Sequence, residues 1–175
     1  MTLGDERPPD YNINNSNNTI ADALRSARVD VQLEPPGLTN DSAIRPDGRT
    51  MIPWKGGRYL AWDATVSCTL APSYRARSAL KAGSSASGAE DRKIRKYSGL
   101  QESFVFQPIA FETLGVVGER TQEFLKDLAA RVVQETAQPR AGEYLLQRLG
   151  IEIQRGNATA VTSTLPHKRG LPGIG

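Results

Sequence analysis

Two aspartates flank a Gly-Gly pair in residues 45 to 66, "RPDGRTMIPWKGGRYLAWDATV": Asp47 and Asp63. Aspartate is disfavoured in strands, yet the stretch around each is strand-like. If Gly56-Gly57 is a hairpin turn, equal arms from Asp47 and Asp63 meet at residue 55, and the two face each other to within two or three residues. Opposed strand residues have Cβ atoms about 4.5–5.5 Å apart and diagonal neighbours roughly 7–8 Å. Carboxylates at that range repel unless a cation lies between them. With oxygen ligands only, the fitting cation is hard, Mg²⁺ or Mn²⁺. Thr65 shares a face with Asp63 by the two-residue period and offers a hydroxyl to a water or a phosphate. A second reading stands beside this one: Pro-Asp-Gly builds a β-turn with no metal, and Asp63 then sits on a solvated face opposite Trp62.

The remaining composition narrows the chemistry. A single cysteine, Cys68, and a single histidine, His167, exclude a disulfide pair, a Cys/His zinc site and the Ser-His-Asp and Cys-His arrangements. Carboxylates and lysines must carry any catalysis. The chain has 175 residues, enough for one domain with a proper core, and no apolar run near the ~20 residues of a membrane-spanning helix. Its start lacks an apolar secretory signal, so the Asn-x-Ser/Thr matches at Asn14, Asn17, Asn40 and Asn157 are read as unmodified. Net charge is +3 and the pI about 9.2, compatible with a nucleic-acid partner.

Basic residues gather between Arg75 and Lys96. On a helix, Arg77, Lys81, Arg92 and Lys96 fall along one stripe, whereas Lys93 shares a stripe with Ala86, Ala89 and Tyr97, a face suited to turning inward. A positive stripe beside two carboxylates suits a phosphodiester backbone, and a lysine near the acids can stabilise developing charge. The same stripe also serves as an ordinary solvated helix face.

These side chains need elements to position them. Residues 1–18 are polar and asparagine-rich and read as a disordered leader. Residues 19–163 then read as one domain, and 164–175 as a flexible tail. Within the domain, "TIADALRSAR" has helical spacing with Thr19 as N-cap. "VDVQLE" alternates as a strand, and the hairpin follows, with Pro53 shortening its first arm. Residues 73–98 read as a long helix, loosened near Gly83 and Gly88. "SFVFQPIAFET" is a strand whose Pro108 implies an edge or a bulge. "GERTQEFLKDLAARVVQET" and "AGEYLLQRLGIEIQRGNATAV" are helices. The expected fold is therefore α/β, with a small mixed central sheet of about four strands flanked by helices.

Four stretches in order, "EPPGLTNDSAIRPDG", "WKGGRYLAWDATV", "AEDRKIRKYSGL" and "FQPIAFETLG", resemble a nuclease-like segment found near the C-terminus of non-LTR retrotransposon reverse-transcriptase proteins. That segment is taken as a variant of the restriction-endonuclease-like fold, the PD-(D/E)XK superfamily. The resemblance runs from about Ile20 to Val161. It implies a Mg²⁺- or Mn²⁺-dependent DNA endonuclease, intracellular and nuclear, with Asp47, Asp63 and the carbonyl of Ala64 as metal ligands. A lysine is expected two residues after the second acid, where this chain has Thr65. Lys96 or Lys93 would stand in, the motif favouring Lys96 and the helical stripe Lys93. Glu34 is an additional acid ahead of the hairpin, and Gln107 would touch DNA or the site water. The rivals are an inactive nucleic-acid-binding remnant of such an element, and a protein-interaction domain anchored by exposed Trp54 and Trp62.

Overall fold

The computed structural model describes residues 13–39, 41, 44–67 and 82–164, with side chains of the last helix up to 159. Cys68, Arg75, Arg77, Lys81 and His167 lie outside the described residues. In chain order the elements are α1 (Ile13–Ser26), β1 (Val31–Leu33), β2 (Gly48–Thr50), β3 (Tyr59–Ser67), α2 (Ser84–Lys96), β4 (Phe104–Glu112), α3 (Glu119–Thr136) and α4 (Ala141–Thr164). The sheet order is β1-β2-β3-β4, the first two pairings antiparallel and β3–β4 parallel. The small mixed sheet flanked by helices is the α/β class the sequence predicts.

Alternation along the two long strands divides their side chains between two layers. Leu60, Trp62, Ala64, Ile109 and Phe111 face the main core, which they share with Ile20 and Leu24 of α1, Phe124, Leu125 and Leu128 of α3, and Leu145 and Leu149 of α4. The opposite face carries Asp63, Thr65 and Ser67 of β3, with Phe106, Ala110 and Glu112 of β4. Against it lies α2, which approaches closely because its inward residues Ser85, Ala86 and Ala89 are small. Pro108 sits in the edge strand, where its missing N–H breaks no ladder.

Neither α2 nor α3 is capped by a side chain at its own N-cap position. Each receives a buried carboxylate from elsewhere in the fold. Glu112, at the end of β4, accepts the N–H groups of Ser85 (3.1 Å) and Ala86 (3.4 Å). Glu90, on α2, accepts those of Arg120 (3.2 Å) and Thr121 (2.8 Å) and the Thr121 hydroxyl (2.7 Å). Both acids thus satisfy orphan donors at the positive end of a helix.

The first helix begins earlier than the sequence suggests. It starts at Ile13, so residues 13–18 belong to α1 and not to a disordered leader, and Thr19 is a buried position within the helix. Asn17 and Ser16 are buried with it. The reason is periodicity: Ile13 and Asn17 continue the stripe of Ile20, Ala21 and Leu24 by steps of three and four.

The hairpin is present, with an interrupted first arm. Gly56 (φ 58°) and Gly57 (φ 74°) supply two consecutive positive φ angles, the requirement of a type I′ turn. From the Arg49–Ala61 pair to the Lys55–Arg58 bridge the first arm advances six residues and the second only three. The excess, Met51 to Pro53, leaves the ladder, and the Thr50 hydroxyl takes over by accepting Leu60 N–H (3.0 Å) and donating to the Ile52 carbonyl (2.8 Å). Gly48 has a different duty: a Cβ there would overlap the Trp62 ring. Gly48→Ala should lower unfolding free energy by about 1–3 kcal/mol, the range for overpacking, as measured by urea denaturation. Gly48→Ala combined with Trp62→Phe should recover part of that loss.

Candidate metal and acid site at the open end of β2

The β2–β3 ladder runs through Gly48–Trp62, and the Asp47 N–H donates to the Trp62 carbonyl (2.9 Å). That bond lies one residue out of the ladder's register, so Asp47 bends out of the strand pairing at this point, near Asp63 but not paired with it. β2 goes no further, and the side chain of Asp47 finishes the ladder: its Oδ2 accepts the N–H of Ala64 at 2.7 Å. The N–H and C=O of a strand residue leave by the same edge, so the Ala64 carbonyl also points toward this open end. The loop that delivers Asp47 is fixed by Thr39, whose hydroxyl contacts the carbonyls of Asp41 (2.7 Å) and Ile44 (2.8 Å). Packing of Leu38 on Ala61 and Phe104 holds it from below.

Asp63 is buried and gripped by α2 through both of its oxygens. Oδ2 pairs with the Lys93 ammonium, and Oδ1 lies 2.8 Å from the Tyr97 hydroxyl. Lys93 and Tyr97 are four residues apart, hence on one helix face, the inward stripe that the sequence indicates. The Tyr97 ring stacks on Phe106 with centroids 4.5 Å apart, and its hydroxyl also lies 2.9 Å from the Arg45 carbonyl. One phenolic proton therefore serves two acceptors, one on each acid-bearing segment. Burial first, and then the charge of Asp63, push the Tyr97 phenol above its ordinary value, so it stays protonated and a donor.

Asp47 lies at a cleft of about 340 Å³ lined also by Asn14, Asn17 and Asn18 of α1, Leu33 and Glu34. Burial, then the Asp63 charge, raise its carboxyl above the ordinary 3.8, against the opposing effects of the Ala64 N–H, the Asn17 side chain and Lys93. Glu34 extends outward and pairs with Arg45 at 3.2 Å, both well exposed.

The predicted residues therefore separate into two groups. Asp47, Asp63, Ala64 and Lys93 come together, and Thr65 shares the Asp63 face, half-buried. Lys96 does not join them; it is exposed, its ammonium 5.0 Å from the outer face of the Tyr97 ring. The helical stripe, and not the motif, identifies the lysine that reaches the acid. Gln107 is also displaced from the site. It pairs with Trp62 in the parallel ladder, on the sheet face away from Asp63, and its amide donates to the carbonyls of Pro108 (2.7 Å) and Arg120 (3.2 Å). Arg92 is exposed on the outer side of α2. Both tryptophans are buried, Trp62 in the core and Trp54 beneath Arg131 (3.7 Å) and beside Phe124, so the exposed aromatic anchors expected of an interaction domain are not formed. Sequence reasoning did not assign roles to Tyr97 and Asn17. Tyr97 is legible from its place on the Lys93 stripe; Asn17 is hidden in the polar tract that the sequence marks as a disordered leader.

The oxygens here are of the kind a hard divalent ion takes, with both Asp63 oxygens held by Lys93 and Tyr97 in the present arrangement. Among the described residues no three His, Cys, Asp or Glu side chains cluster, but Mg²⁺ is commonly held by one or two carboxylates plus water and substrate oxygens. Asp47, Asp63 and the Ala64 carbonyl would supply the protein's share.

The raised Asp47 carboxyl has a stability consequence. A carboxyl that binds its proton more tightly folded than unfolded makes folding less favourable as pH rises from the unfolded value toward the folded one. Asp47→Asn should therefore be more stable than wild type at neutral pH. The advantage should shrink as pH falls and vanish below the ordinary carboxyl range, in urea melts at stepped pH without divalent metal. No family model matches this chain, and no curated protein matches it.

Proposed function

We propose that this domain is a metal-dependent DNA endonuclease of the restriction-endonuclease-like kind, related to the nuclease segment of non-LTR retrotransposon proteins. The observation that carries the reading is the convergence of Asp47, Asp63 and Lys93 on the open end of β2. A lysine missing from the strand position at Thr65 is supplied from α2, and it arrives at the same acid. The resemblance implies such a group, and the geometry is compatible with it.

A bound Mg²⁺ or Mn²⁺ would activate water and offset charge on the scissile phosphate. The chain's own residues would do the rest. Asp47 and Asp63 hold the negative field that recruits the ion, and Ala64 contributes a neutral oxygen. Lys93 is positioned by Asp63, and its ammonium would stabilise the phosphate oxygens, where charge grows in the transition state. Thr65, on the same face, offers a hydroxyl to the phosphate. Arg92 on the outer face of α2, with Arg77 and Lys81 of the preceding segment, would bind the DNA backbone.

A second reading is favoured by one observation: both oxygens of Asp63 are already engaged, by Lys93 and Tyr97. A site closed by its own lysine is what an inactive, nucleic-acid-binding remnant would retain. Plasmid nicking separates the two. With supercoiled DNA and Mg²⁺ or Mn²⁺, wild type should convert plasmid to open circles, and Asp47→Ala and Asp63→Ala should not. Lys93→Met should lose about 10²–10³-fold in rate, the usual loss for one charge-stabilising group, while Lys96→Met stays within a few-fold. Wild type that binds DNA but leaves it intact under every metal condition would establish the remnant.

A further inference from the structure

Met51, Ile52 and Pro53 are the residues that the hairpin ladder leaves out. All three are exposed, Met51 by 48% and Ile52 by 43%, and none is part of the hydrophobic core. Met51 and Ile52 are the one sequence-adjacent pair among the exposed large hydrophobics of the described residues. Their backbone is nevertheless fixed. The Met51 N–H donates to the Asp30 carbonyl (2.7 Å), the Thr50 hydroxyl donates to the Ile52 carbonyl (2.8 Å), and Pro53 has a locked φ. Trp54 then re-enters the fold, buried, with its N–H on the Arg58 carbonyl (2.8 Å). The result is an anchored bulge with two apolar side chains turned to solvent, and bulges near active sites commonly re-aim side chains in this way.

The surroundings of the bulge are cationic. Between Asp47 and Asp63 the sequence holds Arg49, Lys55 and Arg58 and no acid. Lys55 and Arg58 are exposed, and neither forms an ion pair with a described residue; Glu123 and Asp127 line the cleft that Lys55 also lines, but do not pair with it. Gln32 accepts from Arg49 Nε (2.9 Å) and so orients that guanidinium. Apolar side chains ringed by free cations match a nucleic-acid duplex: proteins that kink DNA insert residues such as Met, Ile or Pro between base pairs and hold phosphates with Lys and Arg. Met51 follows Asp47 by four residues, about 13 Å at ~3.3 Å per strand residue, so one duplex spans both.

We propose that the Met51–Pro53 bulge is a wedge that enters a DNA duplex between two base pairs and bends it, with Arg49, Lys55 and Arg58 on the adjoining phosphates. The inference rests on the DNA partner of the nuclease reading and extends it from the acids to how the duplex is held.

Energy transfer between dyes at the two ends of a duplex of about 25 bp reads the bend, with the full chain in EDTA so that no strand is cut. Anisotropy of the same duplex at stepped salt reads binding. Wild type should bind and raise the transfer. The Met51→Ser, Ile52→Ser double variant changes exposed side chains only; it should melt as wild type does, keep the salt dependence and lose the rise in transfer. Lys55→Gln with Arg58→Gln should lower the slope of log affinity against log salt by about two. Bound duplex with no rise in transfer for wild type, or an equal rise for the Met51→Ser, Ile52→Ser variant, would overturn the wedge and leave the nuclease reading to plasmid nicking. An unchanged salt slope in the Lys55→Gln, Arg58→Gln variant would overturn the phosphate contacts. Wild type that binds no DNA would overturn both readings; binding to phosphatidylserine vesicles instead, lost in the Met51→Ser, Ile52→Ser variant, would make this a membrane-facing surface. Bending in EDTA without nicking in Mg²⁺ would support the wedge while removing the nuclease activity.

Discussion

Two like charges on neighbouring strands set the terms for the rest of this fold. Asp47 and Asp63 lie close together at the end of a ladder, one half-buried and the other buried. Ionised carboxylates in such surroundings are costly unless paired and hydrogen-bonded. The structure meets that cost piecemeal: one ammonium and one phenol on Asp63, one backbone N–H on Asp47. The three donors come from α2 with its C-cap and from β3, so the acid pair ties together elements far apart in sequence. Burial first, and then the charge of Asp63, hold the Asp47 carboxyl above its ordinary value.

The precision of the pair depends on where α2 sits, and α2 is located by carboxylates as well. Glu112 on β4 holds its first turn; two turns and more onward, Lys93 and Tyr97 reach Asp63. From the same helix Glu90 holds the first turn of α3, which closes the core on the other side of the sheet. Gly118 is required there because a Cβ would collide with the Glu90 carboxylate. Small residues on the inward face of α2 permit the approach. The sheet, α2 and α3 are thereby linked by buried charged-to-backbone hydrogen bonds, each stronger than a neutral one. A rigid support of this kind is what preorganised chemistry needs.

A clamp of Lys93 and Tyr97 on Asp63 also sets a threshold for anything that would bind the acid. An incoming cation must compete with an ammonium already in place, and a dication with retained waters is the kind of competitor that can do so. Recruitment of the ion and release of the lysine would then be one event, which is an economical way for a site with so few polar groups to work.

The sequence by itself determined the element order, the α/β class, the turn at Gly56-Gly57 and the edge strand at Pro108. Those follow from local rules: a two-residue strand period, a 3.6-residue helix period, and the φ angles that glycine and proline permit or fix. Lys93 was also within reach, because its stripe on α2 is shared with Ala86, Ala89 and Tyr97. Tertiary structure alone decided that Lys96 stays outside while Lys93 pairs with Asp63, since that depends on which face of α2 the buried small residues turn to the sheet. It decided that Gln107 lies across the sheet from the acids, through the pairing register of β3 with β4. And it decided that Asn17 belongs to a helix, buried at the wall of the Asp47 cleft. An asparagine carries no propensity that announces burial, so only the packing of α1 against the strands, a long-range event, gives that side chain its place.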